Sequence, residues 1–195
     1  MTPASAASFD LVIRGGRIVD PESGLDRIGD VAVKDGRIAA VGTVAGDGAK
    51  EVDATGLVVA PGFIDLHAHG QTVAADRMQA FDGVTTTLEL EAGVLPVATW
   101  YENQARKGRV LNYGTAANWA FARIAAMLGV EPEADLGFMG RNSNDKRWIE
   151  NVASDAEIRE ILKRIRQGLD EGGIGIGILN AYAPGAGVKE MSAVC

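Results

Sequence analysis

Cysteine is nearly absent from this chain: of 195 residues only the last, Cys195, is one. No intrachain disulfide can form, so buried apolar surface rather than covalent staples must hold the fold. Basic residues are in the minority, 19 Lys and Arg against 26 Asp and Glu, for a formal net charge of −7. Nucleic acids and anionic membrane surfaces select basic patches, and this balance argues against both as partners. Long apolar runs are missing too, and none reaches the roughly 18 residues of a membrane span. Met1–Ser8 lacks a basic segment followed by an apolar core and does not read as a signal peptide. Together these absences lead to the expectation of a cytoplasmic protein. Histidine is scarce as well, with only His67 and His69, two positions apart.

What is present is ordinary globular material, 47% hydrophobic and 23% charged, which argues against disorder. Glycine is plentiful at 25 residues but has no collagen period, so it serves backbone geometry. Residues 1–60 read as short strands and turns. Gly15-Gly16 between Asp10–Ile13 and Arg17–Val19 predicts a hairpin, and Asp35-Gly36 between Val31–Val33 and Arg37–Val41 predicts a second. Val52 and Leu57–Ala60 flank a third turn at Ala54-Thr55-Gly56. Such strands make either a small sheet resting on something larger or a free-standing domain of marginal core.

From residue 61 to 195 the pattern changes to strands alternating with helices, the mark of βα units and a parallel sheet. Strands are predicted at Phe63–His67, Thr85–Leu90, Val110–Thr115 and Ile174–Leu179, with helices around Ala74–Phe81, Val97–Arg106, Trp119–Leu128 and Asp155–Glu171. The last helix is the clearest. Ser154 and Glu157 form a capping box, Ile158, Ile161, Leu162, Ile165 and Leu169 follow the spacing of a buried face, and Gly172-Gly173 ends it. In the strand after it, Ile174, Ile176 and Ile178 alternate with Gly173, Gly175 and Gly177. Branched side chains on one face can pack against helices while the glycines leave the other open. Glu131–Ala153 is polar and irregular and reads as an insertion or long loop.

Chemistry concentrates in Pro61-Gly62-Phe63-Ile64-Asp65-Leu66-His67-Ala68-His69-Gly70. Alternate residues of a strand share a face, so His67 and His69 present two imidazoles about 7 Å apart along one side. Such a pair can converge on one metal, at the strand end where barrel active sites form. The bland alternative is a chance pair on an exposed strand end. Asp65, one layer deeper, could orient a ligand imidazole or cap a backbone group. Glu89 and Glu91 share a face of the second strand, where one of them could equally pair with a basic side chain.

The run Leu11-Val12-Ile13-Arg14-Gly15-Gly16-Arg17-Ile18-Val19-Asp20, then Asp35-Gly36-Arg37-Ile38, then Pro61 through His69, resembles the amidohydrolase superfamily. The resemblance implies an α/β fold, a metal-dependent (β/α)₈ barrel of which about half is present, beside a small β-sandwich whose N-terminal part is residues 1–60. It makes His67 and His69 metal ligands, to one or two divalent ions, most often zinc. Hydantoinases and dihydroorotases of that superfamily use a carbamylated lysine on barrel strand four. Ile174–Leu179 has none, and Lys189 lies well beyond it. The branch of N-acyl-D-amino-acid deacylases instead carries a Tyr-x-Pro-Gly loop there, matched by Tyr182-Ala183-Pro184-Gly185. In that branch Tyr182 would bind substrate; otherwise it is an aromatic lid. The branch also takes a cysteine ligand from strand two. Here Gly83 to Glu91 ends without one, and Glu91 is expected to replace it, with Glu89 as second choice. Asn118, Arg123 and Arg141 are candidates for a substrate carboxylate.

The implied activity is hydrolysis of a C–N amide bond in a small molecule, an N-acyl-D-amino acid, by metal-activated water. A cyclic amidohydrolase and a non-catalytic half-barrel are the alternatives. The family's two later histidine ligands and its late catalytic aspartate have no counterpart, since no histidine follows His69. A complete barrel takes about 250 residues, so the chain is expected to be the N-terminal part of such an enzyme. By itself it is expected to be inactive and prone to self-association through exposed barrel edges.

Overall fold

The computed structural model describes residues 8–195; of the segment read for a leader, all but Ser8 lies outside them. The chain divides into two compact units, with the break between Pro61 and Gly62.

The first unit is one mixed sheet. β1 (Phe9–Asp20), β2 (Leu25–Lys34) and β3 (Arg37–Gly42) run antiparallel, while β4 (Gly48–Asp53) and β5 (Val58–Val59) both pair with β1 in parallel. Gly15-Gly16 is therefore not a hairpin turn. It is a bulge inside a continuous 12-residue strand, where the register to β2 skips between Ile13 and Gly16. Gly15 sits at φ +68° and the Asp30 carboxylate accepts its N–H at 2.9 Å. The bulge thus has its own acceptor, and the strand continues through it. The turn that does reverse the chain is the one ending at Gly24, with φ +71°. Asp35 and Gly36 do form the second hairpin, both with positive φ, 51° and 70°, as a type I′ turn requires. The strands either side of Ala54-Thr55-Gly56 do not pair with each other; they follow one another along the same edge of β1. The buried core here is small: Val12, Ala32 and Val44, with Phe9 and Ala40 against them.

The second unit is built from βα repeats. Its four strands, β6 (Phe63–Asp65), β7 (Val84–Val94), β8 (Asn112–Asn118) and β9 (Ile176–Gly177), are all parallel and lie side by side in chain order. Helices α1 (Val73–Phe81), α2 (Val97–Lys107) and α3 (Trp119–Leu128) follow the first three strands. The segment 131–153, expected to be irregular, holds two short helices, α4 (Gly137–Arg141) and α5 (Lys146–Glu150). Each has five residues, too few for a periodic signal. Phe138 and Trp148 from them are buried in the main core. Then come α6 (Asp155–Asp170), with both halves of its capping box formed, and α7 (Val188–Val194).

That core lies between α3 and α6. Trp119, Phe121 and Ile124 meet Ile158, Ile161 and Ile165, all buried. Ile176 and Ile178 pack against this cluster, whereas Ile174 is 56% exposed and does not join the helix layer. The strand itself is shorter than predicted, although Ile174 N–H still donates to Thr115 O and Ala117 N–H to Gly175 O. Glycine at 177 is obligatory for the approach of this strand, because a Cβ there would lie 2.2 Å from Ala92 O. No described helix is long and apolar enough to cross a membrane.

Candidate functional site

The parallel strands place their C-terminal ends together, and the chain leaving β6 stays alongside β7. Ala68 N–H donates to Leu88 O at 3.1 Å, and His67 bridges to Glu89. This keeps the alternation of β6 going past its last strand residue, so His67 and His69 emerge on one side. Their rings meet edge-on, with centroids 4.8 Å apart. Asp65 does not touch either imidazole. One of its oxygens accepts the His67 backbone N–H at 3.0 Å and the other accepts from Gln79 Nε2 at 2.8 Å, so it caps the turn that presents the pair.

Glu91, near the end of β7, completes a triangle. His67 Nε2 and His69 Nε2 are 3.0 Å apart, and the same Glu91 oxygen, Oε2, lies 3.2 and 3.1 Å from them. All three side chains are exposed. Three lone-pair-bearing atoms this close repel one another unless a proton or a cation is shared among them. Nitrogen and oxygen ligands bound to one zinc ion at about 2.0–2.2 Å stand about 3–3.5 Å from each other. The donor set therefore fits a divalent cation in kind and in spacing, and His67, His69 and Glu91 are the group able to hold one among the described residues.

Glu89 does something different. It is buried, and its Oε2 accepts from His69 Nδ1 at 2.8 Å while Oε1 accepts the Ala92 N–H at 3.3 Å. The hydrogen bond to Glu89 raises the His69 pKa, against the opposing effect of partial burial; the charges of Glu89 and Glu91 add to the rise. A buried carboxylate on Nδ1 leaves Nε2 free to face outward, the arrangement that orients metal-binding histidines.

Beside this group is a cavity of about 160 Å³ lined by His69, Glu91, Ala92, Asn118, Phe121, Leu136, Met139, Leu179 and Tyr182. Tyr182 belongs to a 3₁₀ turn, Asn180–Tyr182, and is exposed at the cavity wall. Asn118 caps α3 by accepting the Phe121 N–H at 2.9 Å, and donates to Gly93 O at 3.2 Å. The two arginines are elsewhere. Arg123 is fully buried, paired with Glu190 and donating to the carbonyls of Trp148 and Asn151, while Arg141 is tied to Glu133 and Asp135. Neither lines the cavity. Lys189 pairs with Asp155 at 2.5 Å. Gln71, beside Glu89, and Trp100, which donates to Gln71, were not selected from the sequence. Gln71 continues the His67–His69 alternation, which is the one signal that pointed to it.

Known proteins resemble this chain in sequence and in fold. A sequence model described as the Amidohydrolase family matches residues 50–184. The dihydroorotase of Streptococcus pneumoniae is 43% identical over 95 residues, 44% of this chain and 22% of that protein. An allantoinase of Escherichia coli is 37% identical over 98 residues, 46% of this chain and 21% of its own. The structure of the N-acyl-D-glutamate deacylase of Bordetella bronchiseptica, complexed with zinc and a phosphonate inhibitor, is 25% identical. It superposes with a TM-score of 0.76 over 95% of this chain and 42% of that one. The chain spans less than half the length of each of these proteins. Since the family match covers more than half of its residues, the chain belongs to the Amidohydrolase family.

Proposed function

We propose that His67, His69 and Glu91 hold a divalent ion, zinc in the first instance, and that the chain carries the first part of the metal site of a hydrolase acting on a C–N bond. The observation behind this is the convergence of three donor atoms at 3.0, 3.1 and 3.2 Å where parallel strands end. Once bound, such an ion acts as a Lewis acid toward a carbonyl oxygen and toward water. The chain's own contribution is to hold the donors. Asp65 sets the turn, Glu89 directs Nε2 of His69 outward, and the cavity next to them receives the substrate. Tyr182 would donate its hydroxyl to the substrate from the cavity wall.

The proposed substrate is an N-acyl-D-amino acid. Support comes from the likeness to a deacylase along 95% of this chain and from the absence of a lysine in Ile174–Leu179. A second reading, a cyclic amidohydrolase, is favoured by the 43% and 37% identities to a dihydroorotase and an allantoinase. Equilibrium dialysis of the zinc-loaded chain with N-acetyl-D-leucine and with a cyclic amide separates the two, since each reading expects binding of its own ligand alone. Turnover is not expected from the 195-residue chain alone, because its only two histidines both serve as donors.

Calorimetric titration with zinc tests the centre. One site is expected in the native chain, with affinity reduced by more than about 100-fold in His67→Ala and in His69→Ala, beyond the range seen for changes outside the ligand set. Equal zinc affinity in native chain and variants would overturn it, as would measurable hydrolysis of N-acetyl-D-leucine for the inactivity of the chain alone.

A further inference from the structure

Behind the exposed triangle lies a line of side chains that reaches 1%-exposed Trp100 on α2. Trp100 Nε1 donates to Gln71 Oε1 at 2.7 Å, and Gln71 Nε2 faces Glu89 Oε2 at 3.5 Å. The same Glu89 oxygen meets His69 Nδ1 at 2.8 Å. Gln71 stands in the loop between β6 and α1, so three separate segments contribute to the line. We propose that Trp100 and Gln71 are positioning residues for the metal centre: through Glu89 they fix the tautomer and ring orientation of His69. This rests on the reading of His69 as a metal donor.

The direction of every bond follows from what each group can do. An indole N–H only donates, so Trp100 forces the carbonyl oxygen of Gln71 toward itself. The Gln71 NH₂ then points the other way, and NH₂ also only donates. Glu89 is held as an acceptor on both sides, by Gln71 on one oxygen and by the Ala92 N–H on the other. A carboxylate that accepts everywhere leaves His69 Nδ1 to be the donor, and its Nε2 carries the lone pair. That nitrogen is the one 3.0 Å from His67 Nε2 and 3.1 Å from Glu91. Trp100 and Gln71 thus hold the Glu89 carboxylate against His69 Nδ1, so that Nε2 faces the ion. The Gln71–Glu89 separation is the longest in the line, which puts the expected effect at the low end of the range for such residues.

The test uses the ¹⁵N-labelled 195-residue chain without metal, at a pH raised until the ring-nitrogen shifts show His69 neutral, because its carboxylate neighbours hold its pKa above the ordinary imidazole value. Long-range ¹H–¹⁵N correlations report which nitrogen of His69 carries the proton. The expected result is the Nδ1–H form in the native chain and a mixture of tautomers in Gln71→Leu and Trp100→Phe. Zinc affinity should fall by about 10-fold in both. Gln71 is only half-buried, so Gln71→Leu is the variant expected to keep its fold if Trp100→Phe does not. The proposal is overturned if native His69 carries its proton on Nε2. It is equally overturned if folded Gln71→Leu retains the native tautomer and a zinc affinity within twofold. A native chain that binds no zinc, yet shifts tautomer in Gln71→Leu, supports the line of hydrogen bonds and overturns the metal reading instead.

Discussion

Glu89 and Glu91 are two positions apart on one strand face, yet one is buried and the other open to solvent. The difference comes from depth along β7: the outer carboxylate reaches both imidazole Nε2 atoms, the inner one the far side of a single ring. Their removal should therefore have separable consequences. Glu91→Ala is expected to weaken zinc binding by more than about 100-fold with little change in thermal midpoint, since an exposed side chain supports no packing. Glu89→Ala should weaken zinc binding by about 10–100-fold and also destabilise the metal-free chain. It leaves the Ala92 N–H and His69 Nδ1–H without their acceptor, at a cost of about 1–3 kcal/mol. Calorimetry and urea denaturation of both variants check the split; identical profiles would refute it. Strand alternation alone put His67 and His69 on one side and left Glu89 and Glu91 together on one face, and Glu91 was preferred only through the resemblance, in place of a missing cysteine. The burial of Arg123 was not legible. A charged residue in an apolar helix reads as reaching outward, and the distant Glu190, on α7, together with the carbonyls of Trp148 and Asn151 makes its burial tolerable.

At the scale of elements, the tie between α1 and the chain entering β8 stands out. Arg109 donates to both oxygens of Asp76 at 2.6 Å, and Val110 N–H adds a third bond at 3.1 Å, all out of solvent. Burial works against the Asp76 charge, but the guanidinium and the backbone N–H groups of Val110 and Leu111 outweigh it and hold the carboxyl below its ordinary range. A depressed carboxylate pKa stabilises the fold at every pH above the unfolded value, about 3.9. That contribution disappears as pH falls through the lower, folded value. Urea denaturation between about pH 6 and pH 2 should show it as a loss on the acid side of about pH 4. Asp76→Asn should flatten this limb and, by leaving Arg109 buried without its partner, cost about 3–5 kcal/mol at neutral pH. An unchanged acid limb would count against the pair. Elements with local signals were readable: α6 from its capping box and apolar spacing, the Asp35-Gly36 hairpin from its turn residues. Gly15-Gly16 was misread because a bulge and a hairpin use the same residues, and only the carboxylate of Asp30 on the neighbouring strand distinguishes them.

Among the described residues, the strand order β6-β7-β8-β9 of the second unit leaves an unpaired edge at each end. The β6 side also exposes Phe63, Ile64, Leu66 and, on α1, Phe81, at 67%, 59%, 59% and 90%. Bare edges beside apolar surface favour pairing between chains. Gel filtration over a range of concentrations should show association that rises with concentration, and Ile64→Lys with Phe81→Lys should reduce it; an unchanging monomer would contradict this. The residue pattern alone established the alternation of strands and helices, the histidine pair, the two glutamates on one face of the second strand and the lack of a lysine on the fourth. All of these depend on near neighbours in the chain, where periods of two and of 3.6 residues leave their mark. Folding in three dimensions settled the rest. It buried Arg123 and tied up Arg141, made α4 and α5 helical against the core, and separated the duties of Glu89 and Glu91. It also brought Gln71 and Trp100, 29 residues apart, to within 2.7 Å. Those outcomes rest on which distant groups meet, and contact over such separations leaves no period in a sequence.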